Sequence, residues 1–316
     1  MFLLTRTQNQ TSVEFFLLGF QLPRFRAPLF VALFLLYSAT IMGNFLIIAL
    51  VNFSRALRSP MYFFLGHLSS ADIFLTSSIV PNMLFLILNE GGAISLAACL
   101  TQLQCIGCSM TIECLLLAVM SYDRLLAISR PLRYNAIMDH KLCRHLAAGP
   151  WFVGSAVALV VVGLVSRLEF CGPRLIDHFF CDVSPLLKLS CSDTFIVRTE
   201  VFILSSCFAL LPFAFIISTY LCIFQVIFLI SSSSGRRKAF STCSSHLAAV
   251  CLYYGTLIGL YVVPSDISSF NMYKYMSLLY TLATPFFNPM IYSARNREIR
   301  RALLKTIHTV RGQARV

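Results

Sequence analysis

Apolar residues in this chain run in long uninterrupted blocks instead of the short alternations of a water-soluble fold. Pro28 to Val51 carries no charge, and neither does Ile73 to Asn89; the stretch back to Met61 adds only His67 and Asp72. Between Glu90 and Asp123 the single charge is Glu113. Leu146–Ser166, Val201–Gly235 and Tyr275–Ala294 are free of charge, and Lys238 to Asp266 encloses only His246. A helix needs about 20 apolar residues to cross roughly 30 Å of hydrocarbon, and each block meets that length. The pattern predicts seven spans near 27–52, 60–88, 97–128, 144–166, 198–230, 238–263 and 272–293. They form one transmembrane domain, 27–293, between an N-terminal tail, 1–26, and a C-terminal tail, 294–316. The expected fold is all-α: a seven-transmembrane helix bundle in the membrane, with a short amphipathic helix after span seven. That helix is read from Arg295 to His308, where Ile299, Leu303, Leu304 and Ile307 share one side. A basic helix of this kind lies on the anionic inner leaflet, which makes membrane lipid a partner.

Composition agrees. Of 316 residues 58% are hydrophobic and only 12% charged, half the roughly 25% of a soluble domain. Disordered, collagenous and nucleic-acid-binding classes need polarity, glycine periodicity or a polar basic face, and fall with the same numbers. The net charge of +12 is a topology signal. Seventeen of the 25 Lys and Arg residues lie in the loops after spans one, three and five or in the C-terminal tail. That side faces the cytoplasm, placing the N-terminus outside a plasma membrane. Asn9-Gln10-Thr11 in the outer tail is then a glycosylation sequon on Asn9. Met1 to Gln10 has no cleavable-signal pattern, since Arg6 interrupts it, so span one serves as the insertion signal.

Four of the twelve cysteines, Cys99, Cys171, Cys181 and Cys191, fall on the outer side, where disulfides persist; spacing alone permits three pairings. The other eight read as small buried hydrophobes. His178 with Cys181 supplies too few ligands for a metal. Two carboxylates, Asp72 and Glu113, sit at mid-membrane, where each costs at least about 2.5–3.5 kcal/mol. Either they hold a cation or a proton in a polar cavity, or they share one buried hydrogen bond. Pro81, Pro212, Pro285 and Pro289 permit kinks within or near the ends of spans.

Motifs add a family. Ser121-Tyr122-Asp123-Arg124 ending span three, with Asn288-Pro289-Met290-Ile291-Tyr292 ending span seven, resembles the rhodopsin-like G-protein-coupled receptors, and Gly43-Asn44 and Asp72 match that family's polar core. The finer strings resemble the odorant receptors: PMYFFL at Pro60–Leu65, MSYDRLLAIS at Met120–Ser129, KAFSTCSSHL at Lys238–Leu247, PxxNPxIY at Pro285–Tyr292 and His178-Phe179-Phe180-Cys181-Asp182 in the outer loop. The outer loop looks like that of the tetrapod-type, class II members. Leu125 and Ser129 depart from the family's usual Tyr and Cys, which puts the basal activity in question.

The resemblance implies a receptor, not an enzyme, that binds an odorant within the bundle and activates a stimulatory, olfactory-type heterotrimeric G protein to raise cAMP. It implies that Arg124, held by Asp123 at rest, meets the G protein when active, and that Tyr220, Asn288, Pro289 and Tyr292 take part in activation. His246 is a hydrogen-bonding switch or a packed polar residue. Asp72, Glu113 and Asn288 would line a sodium site, the only bound cofactor considered. Cys99 would pair with Cys181, and Cys171 with Cys191. Helical spacing picks out Ile106, Gly107, Met110 and Thr111 in span three. Leu204, Ser205 and Phe208 in span five, Tyr254, Leu257, Ile258 and Tyr261 in span six, and Leu278 and Thr281 in span seven are the facing residues. None is charged, so a small, neutral, mostly apolar ligand fits best. An opsin is excluded because no lysine lies between Lys274 and Lys305. A non-olfactory chemosensory receptor is the alternative. A transporter would show repeats and correspondingly broken spans, and a membrane enzyme a catalytic constellation; neither pattern is present. Nucleic acid is not a partner, and a trafficking accessory protein is left open.

Overall fold

The computed structural model describes residues 14–262, 270–296 and 298–305. Its long helices are α1 (Arg26–Phe53), α2 (Pro60–Asn89) and α3 (Leu96–Ser129), with a four-residue α4 (Tyr134–Ile137), then α5 (His140–Val165), a short α6 (Val183–Leu189), α7 (Phe195–Leu229) and α8 (Ser233–Val262). A last helical run comprises α9 (Phe270–Leu278), a π-helical turn (Leu279–Ala283) and α10 (Thr284–Arg295). Residues 298–305 are again helical. Five of these helices, α1, α2, α3, α5 and α7, are long and apolar enough to cross a membrane, and α8 carries a shorter apolar stretch, Cys243–Ile258.

Local chemistry sets several helix starts. Pro60 occupies the first turn of α2, where its missing N–H leaves nothing unsatisfied. The Ser95 hydroxyl accepts from the Ala98 N–H at 3.2 Å to cap α3, and Asp139 accepts from the Leu142 N–H at 2.7 Å to cap α5. Pro81 and Pro212 lie within α2 and α7, and Pro289 within α10. Pro285 follows the π-helical turn, a device that absorbs a misfit in the backbone ladder.

The burial pattern is that of a protein solvated by hydrocarbon. Phe45, Phe202 and Phe228 are 62%, 70% and 69% exposed, while Asn44, Asp72, Glu113 and Asn288 are buried between helices. Polar groups face inward because lipid offers them no hydrogen bonds.

One end of the bundle carries a small sheet. Its central strand β1 (Glu14–Leu17) pairs antiparallel with β2 (Gly92–Ser95) and parallel with β3 (Leu175–Ile176). β1 falls within the segment read above as a tail, and the all-helical expectation did not include this sheet. The turn feeding β2 requires glycine. Gly91 has φ +122°, and a Cβ there would sit 2.6 Å from Phe16 Cε1 and 2.9 Å from the Leu17 carbonyl oxygen. Two disulfides secure the same end, Cys99–Cys181 with Cα atoms 5.4 Å apart and Cys171–Cys191 at 5.9 Å. Asn9 lies outside the described residues.

Candidate functional site

Three polar assemblies run down the bundle. At the end remote from the disulfides, Asp123 and Arg124 close α3. Arg124 Nη2 and Nε reach Asp123 Oδ2 at 2.6 and 3.2 Å, and both side chains are buried. The other carboxylate oxygen, Asp123 Oδ1, accepts from the Tyr134 hydroxyl at 2.6 Å. Sequence reasoning missed Tyr134: it lies eleven positions downstream, and only α4 brings it back. Burial and the Asp123 charge push its phenol well above the usual range.

About two turns deeper along α3, His246 of α8 bridges three helices. Its Nε2 lies 3.1 Å from the Leu117 carbonyl of α3, and its Nδ1 lies 2.8 Å from the Tyr220 hydroxyl of α7. Since a carbonyl only accepts, Nε2 carries the proton and Nδ1 accepts from Tyr220. Tyr292 is fully buried, and its hydroxyl has no hydrogen-bond partner among the described residues.

At mid-bundle, Asn288 Nδ2 donates to both oxygens of Asp72, at 3.2 and 3.1 Å. Glu113 is fully buried, and neither carboxylate oxygen has a hydrogen-bond partner among the described residues; the Asp72 charge acts on it electrostatically. Asn44 links α1 to α10 by donating to the Pro285 carbonyl at 3.0 Å. The approach is close because Gly43 faces the Pro289 ring, which a Cβ would meet at 3.2 Å.

The expected ligand residues divide. Ile106 and Thr111 on α3, Tyr254 and Leu257 on α8 and Thr281 in the π-helical turn are buried. Met110 and Leu278 are half-buried, as are Leu204, Ser205 and Phe208 on α7. The Tyr254 ring sits 4.5 Å from Phe213 of α7, and the Tyr253 hydroxyl donates to the Met110 carbonyl at 2.9 Å, so α3, α7 and α8 converge here. Two residues stand apart. Gly107 packs toward α5, its Cβ position 3.4 Å from the Ala158 Cβ, and Ile258 is 51% exposed on the outer face of α8. Helical spacing alone left their sector unresolved. The Tyr261 side chain lies outside the described residues. Tyr253 and Phe213 were not foreseen, because interhelical neighbours leave no periodic mark.

Above this region lies the disulfide-bearing cap. Lys274 Nζ of α9 donates to the Gly19 carbonyl at 2.8 Å and pairs with Asp177 at 2.5 Å, joining three chain segments. Tyr273 donates to Asp182, and Phe20 stacks on Phe179 at 5.2 Å. His178 is 1% exposed, with Nδ1 accepting from the Phe180 N–H at 3.4 Å. Burial, with Lys274 adding repulsion, lowers its pKa to about 3. An exposed imidazole titrates near about 6.5, so the contribution of neutral His178 is complete above that pH and is lost as pH falls toward the folded value. At pH 5 about 2 kcal/mol is expected to be gone. Burial raises the Asp182 pKa, so acid relieves that group and opposes the effect. Hydrogen exchange of residues 176–182, corrected for intrinsic rates, should therefore accelerate at pH 5, and His178→Phe should remove the acceleration. An equal acid response in the variant would assign it to another group.

Apolar helices with a polar interior, buried carboxylates and an Asp–Arg pair near the end of the third helix are the features of a multi-pass membrane protein. The chain belongs to the olfactory receptor family, whose family model matches residues 33–309. It is 45% identical to human "Olfactory receptor 11L1" over 302 residues, 95% of this chain and 94% of that one. Identity is 43% with mouse "Olfactory receptor 1M1" over 303 residues, 95% and 97% of the two chains. With human "Olfactory receptor 6B1" it is again 43%, over 300 residues, 94% and 96%. This is a family of receptors, not of enzymes.

Proposed function

We propose that this receptor binds small, neutral, mostly apolar volatiles between spans three, five, six and seven, and activates a stimulatory, olfactory-type G protein to raise cAMP. The supporting observation is the buried Asp123–Arg124–Tyr134 group in a chain of olfactory receptor sequence. Seven spans are proposed within 27–293, with the disulfide cap outside the plasma membrane and the Arg124 end and residues 298–305 at the cytoplasmic face. The excess of Lys and Arg in the loops on the Arg124 side supports that orientation. Asn9 is then an outer glycosylation site, and the basic tail rests on anionic lipid.

The ligand residues kept are Ile106, Met110, Thr111, Leu204, Ser205, Phe208, Tyr254, Leu257, Leu278 and Thr281, with Tyr261 retained from the sequence. They offer hydroxyls and apolar surface but no charge, which suits one hydrogen-bonding group on an otherwise apolar molecule. Signalling breaks the Arg124–Asp123 pair and frees the guanidinium for the G protein. The Tyr220–His246 bond and the unpartnered Tyr292 hydroxyl are the groups poised to exchange partners, because an unsatisfied buried hydroxyl gains most from a new one.

The test is cAMP in cells carrying the N-terminally tagged chain and a stimulatory olfactory-type G protein, challenged with a panel of neutral volatiles and read beside surface label. A saturable, dose-dependent rise is expected. A response only to charged amines or acids would overturn the ligand reading.

Asp72, Glu113 and Asn288 fit a small hard cation. The two orphaned Glu113 oxygens, within electrostatic reach of Asp72, supply anionic oxygen donors of the right kind. Sodium would screen the two carboxylates and favour the resting arrangement; a shared proton is the alternative. At 150 mM sodium, against N-methylglucamine, the purified receptor is expected to gain about 1–2 kcal/mol in stability for a site with a Kd near 10 mM. Glu113→Gln should abolish the gain. Equal melting of the wild type in both salts would favour the proton.

A further inference from the structure

We propose that Tyr62, in the first turn of α2, is the positioning residue that hangs the helical segment 298–305 on span two and so sets the face to which the G protein docks. This rests on the receptor reading above.

The chain leaves α10 at Asn296, whose extended backbone (φ −92°, ψ 110°) ends the helix. The same residue caps the next one. Asn296 Oδ1 accepts from the N–H groups of Glu298 and Ile299 at 2.9 and 3.3 Å, and its carbonyl takes the first helical bond, from the Arg300 N–H at 3.1 Å. This is an N-cap in both geometry and chemistry. The Tyr62 hydroxyl lies 3.0 Å from that Oδ1 and 2.7 Å from Glu298 Oε2. A phenol has one proton to give. Oδ1 already holds two amide donors, whereas the carboxylate is charged and nearer, so the bond goes to Glu298. The Glu298 charge near the segment's N-terminus suits the helix dipole as well.

A short helix is marginal on its own. The segment therefore depends on what holds it. Ile299 and Ala302 are buried, and Ile299 and Leu303 line a cavity of about 290 Å³ against Gly43, Ile47 and Pro289. The packing of Ile299 and Ala302 fixes one side but not the angle about the Asn296 hinge. Tyr62 fixes the angle, because it is 5% exposed and rigidly placed: its N–H donates to the Ser59 carbonyl at 3.0 Å as α2 begins. The Tyr62 hydroxyl is within electrostatic reach of Arg124, so the anchor and the Asp123–Arg124 latch share one end of the bundle. Arg300 and Arg301 point away, exposed.

The test uses the full chain in lipid nanodiscs, with Tyr62→Phe to delete the hydroxyl and keep the ring. Amide exchange of residues 298–302 is expected to quicken roughly fivefold, the worth of one net hydrogen bond, with α2 itself unchanged. Glu298→Gln keeps a neutral acceptor and should give a smaller effect in the same residues. Affinity for purified nucleotide-free stimulatory G protein should fall severalfold in Tyr62→Phe. Unchanged exchange, or an equal rise throughout α2, overturns the proposal. Faster exchange with undiminished G-protein affinity overturns the docking role. If the wild type binds no G protein at all, the receptor reading fails, and the exchange result alone decides the anchor.

Discussion

Arg124→Ala is expected to abolish cAMP production while the chain still reaches the cell surface. Among the described residues, the guanidinium is the only group at its end of the bundle that is cationic, buried and held by a neighbour on the same helix turn. In the proposed mechanism its pair with Asp123 is at once the restraint of the resting state and the reserve that is released to the G protein. Alanine deletes the reserve. Among the described residues it also leaves Asp123 with a single donor, Tyr134, and stripping one partner from a buried pair typically costs about 3–5 kcal/mol. Response must therefore be normalised to surface label. Asp123→Asn is expected to act in the opposite direction: with the pair weakened and Arg124 intact, odorant-free cAMP should rise. Tyr134→Phe should raise it less, since it removes one hydrogen bond and no charge. An Arg124→Ala receptor that signals at the wild-type level per surface copy would refute the mechanism.

Loss of the Cys99–Cys181 disulfide is the second large effect. The bond closes a sequence separation of 82 residues, for which chain entropy gives about 4.5 kcal/mol as an upper figure, since membrane-inserted helices are already restricted. It also sets the cap. The Cys181 N–H donates to Gln102 Oε1 at 2.9 Å, while Gln102 Nε2 donates to the Ser78 carbonyl at 2.9 Å, so the bond aligns the loop with both α2 and α3. Cys99→Ser is expected to remove most surface label and to lower the melting temperature of purified receptor. The Cys99→Ser, Cys181→Ser double variant should be no worse than either single one, because the three share one lost bond. A Cys99→Ser receptor melting within a degree of wild type would show that the cap holds without it. Cys171→Ser should cost less, since its bond closes only 20 residues.

The helices were legible wherever hydrocarbon imposes a one-dimensional rule. A long apolar stretch with at most a stray charge reads as a span without knowledge of any neighbour, and α1, α2, α3, α5 and α7 are such stretches. Asp72, Glu113, Asp123 and Arg124 were legible for the complementary reason: a charge in such a run needs a partner, whatever the partner is. The partners themselves were not. Tyr134 reaching Asp123, Tyr62 reaching Glu298 and Lys274 reaching Asp177 and Gly19 join residues separated by 11 to 255 positions. Each involves a side chain that is unremarkable in its own segment.

The sequence by itself thus determined the class of solvent, the apolar spans, the family and the charged residues that require company, because burial in lipid and a sequential motif are properties of single segments. Only the tertiary structure decided that Glu14–Leu17 becomes the centre of a sheet, that Gly107 faces α5 and Ile258 the outer surface, and that Asn296 caps the segment braced by Tyr62. Those outcomes depend on how close two helices approach and which faces they turn to each other. Small steric and hydrogen-bonding terms summed over the whole bundle set that approach, and no single segment encodes it.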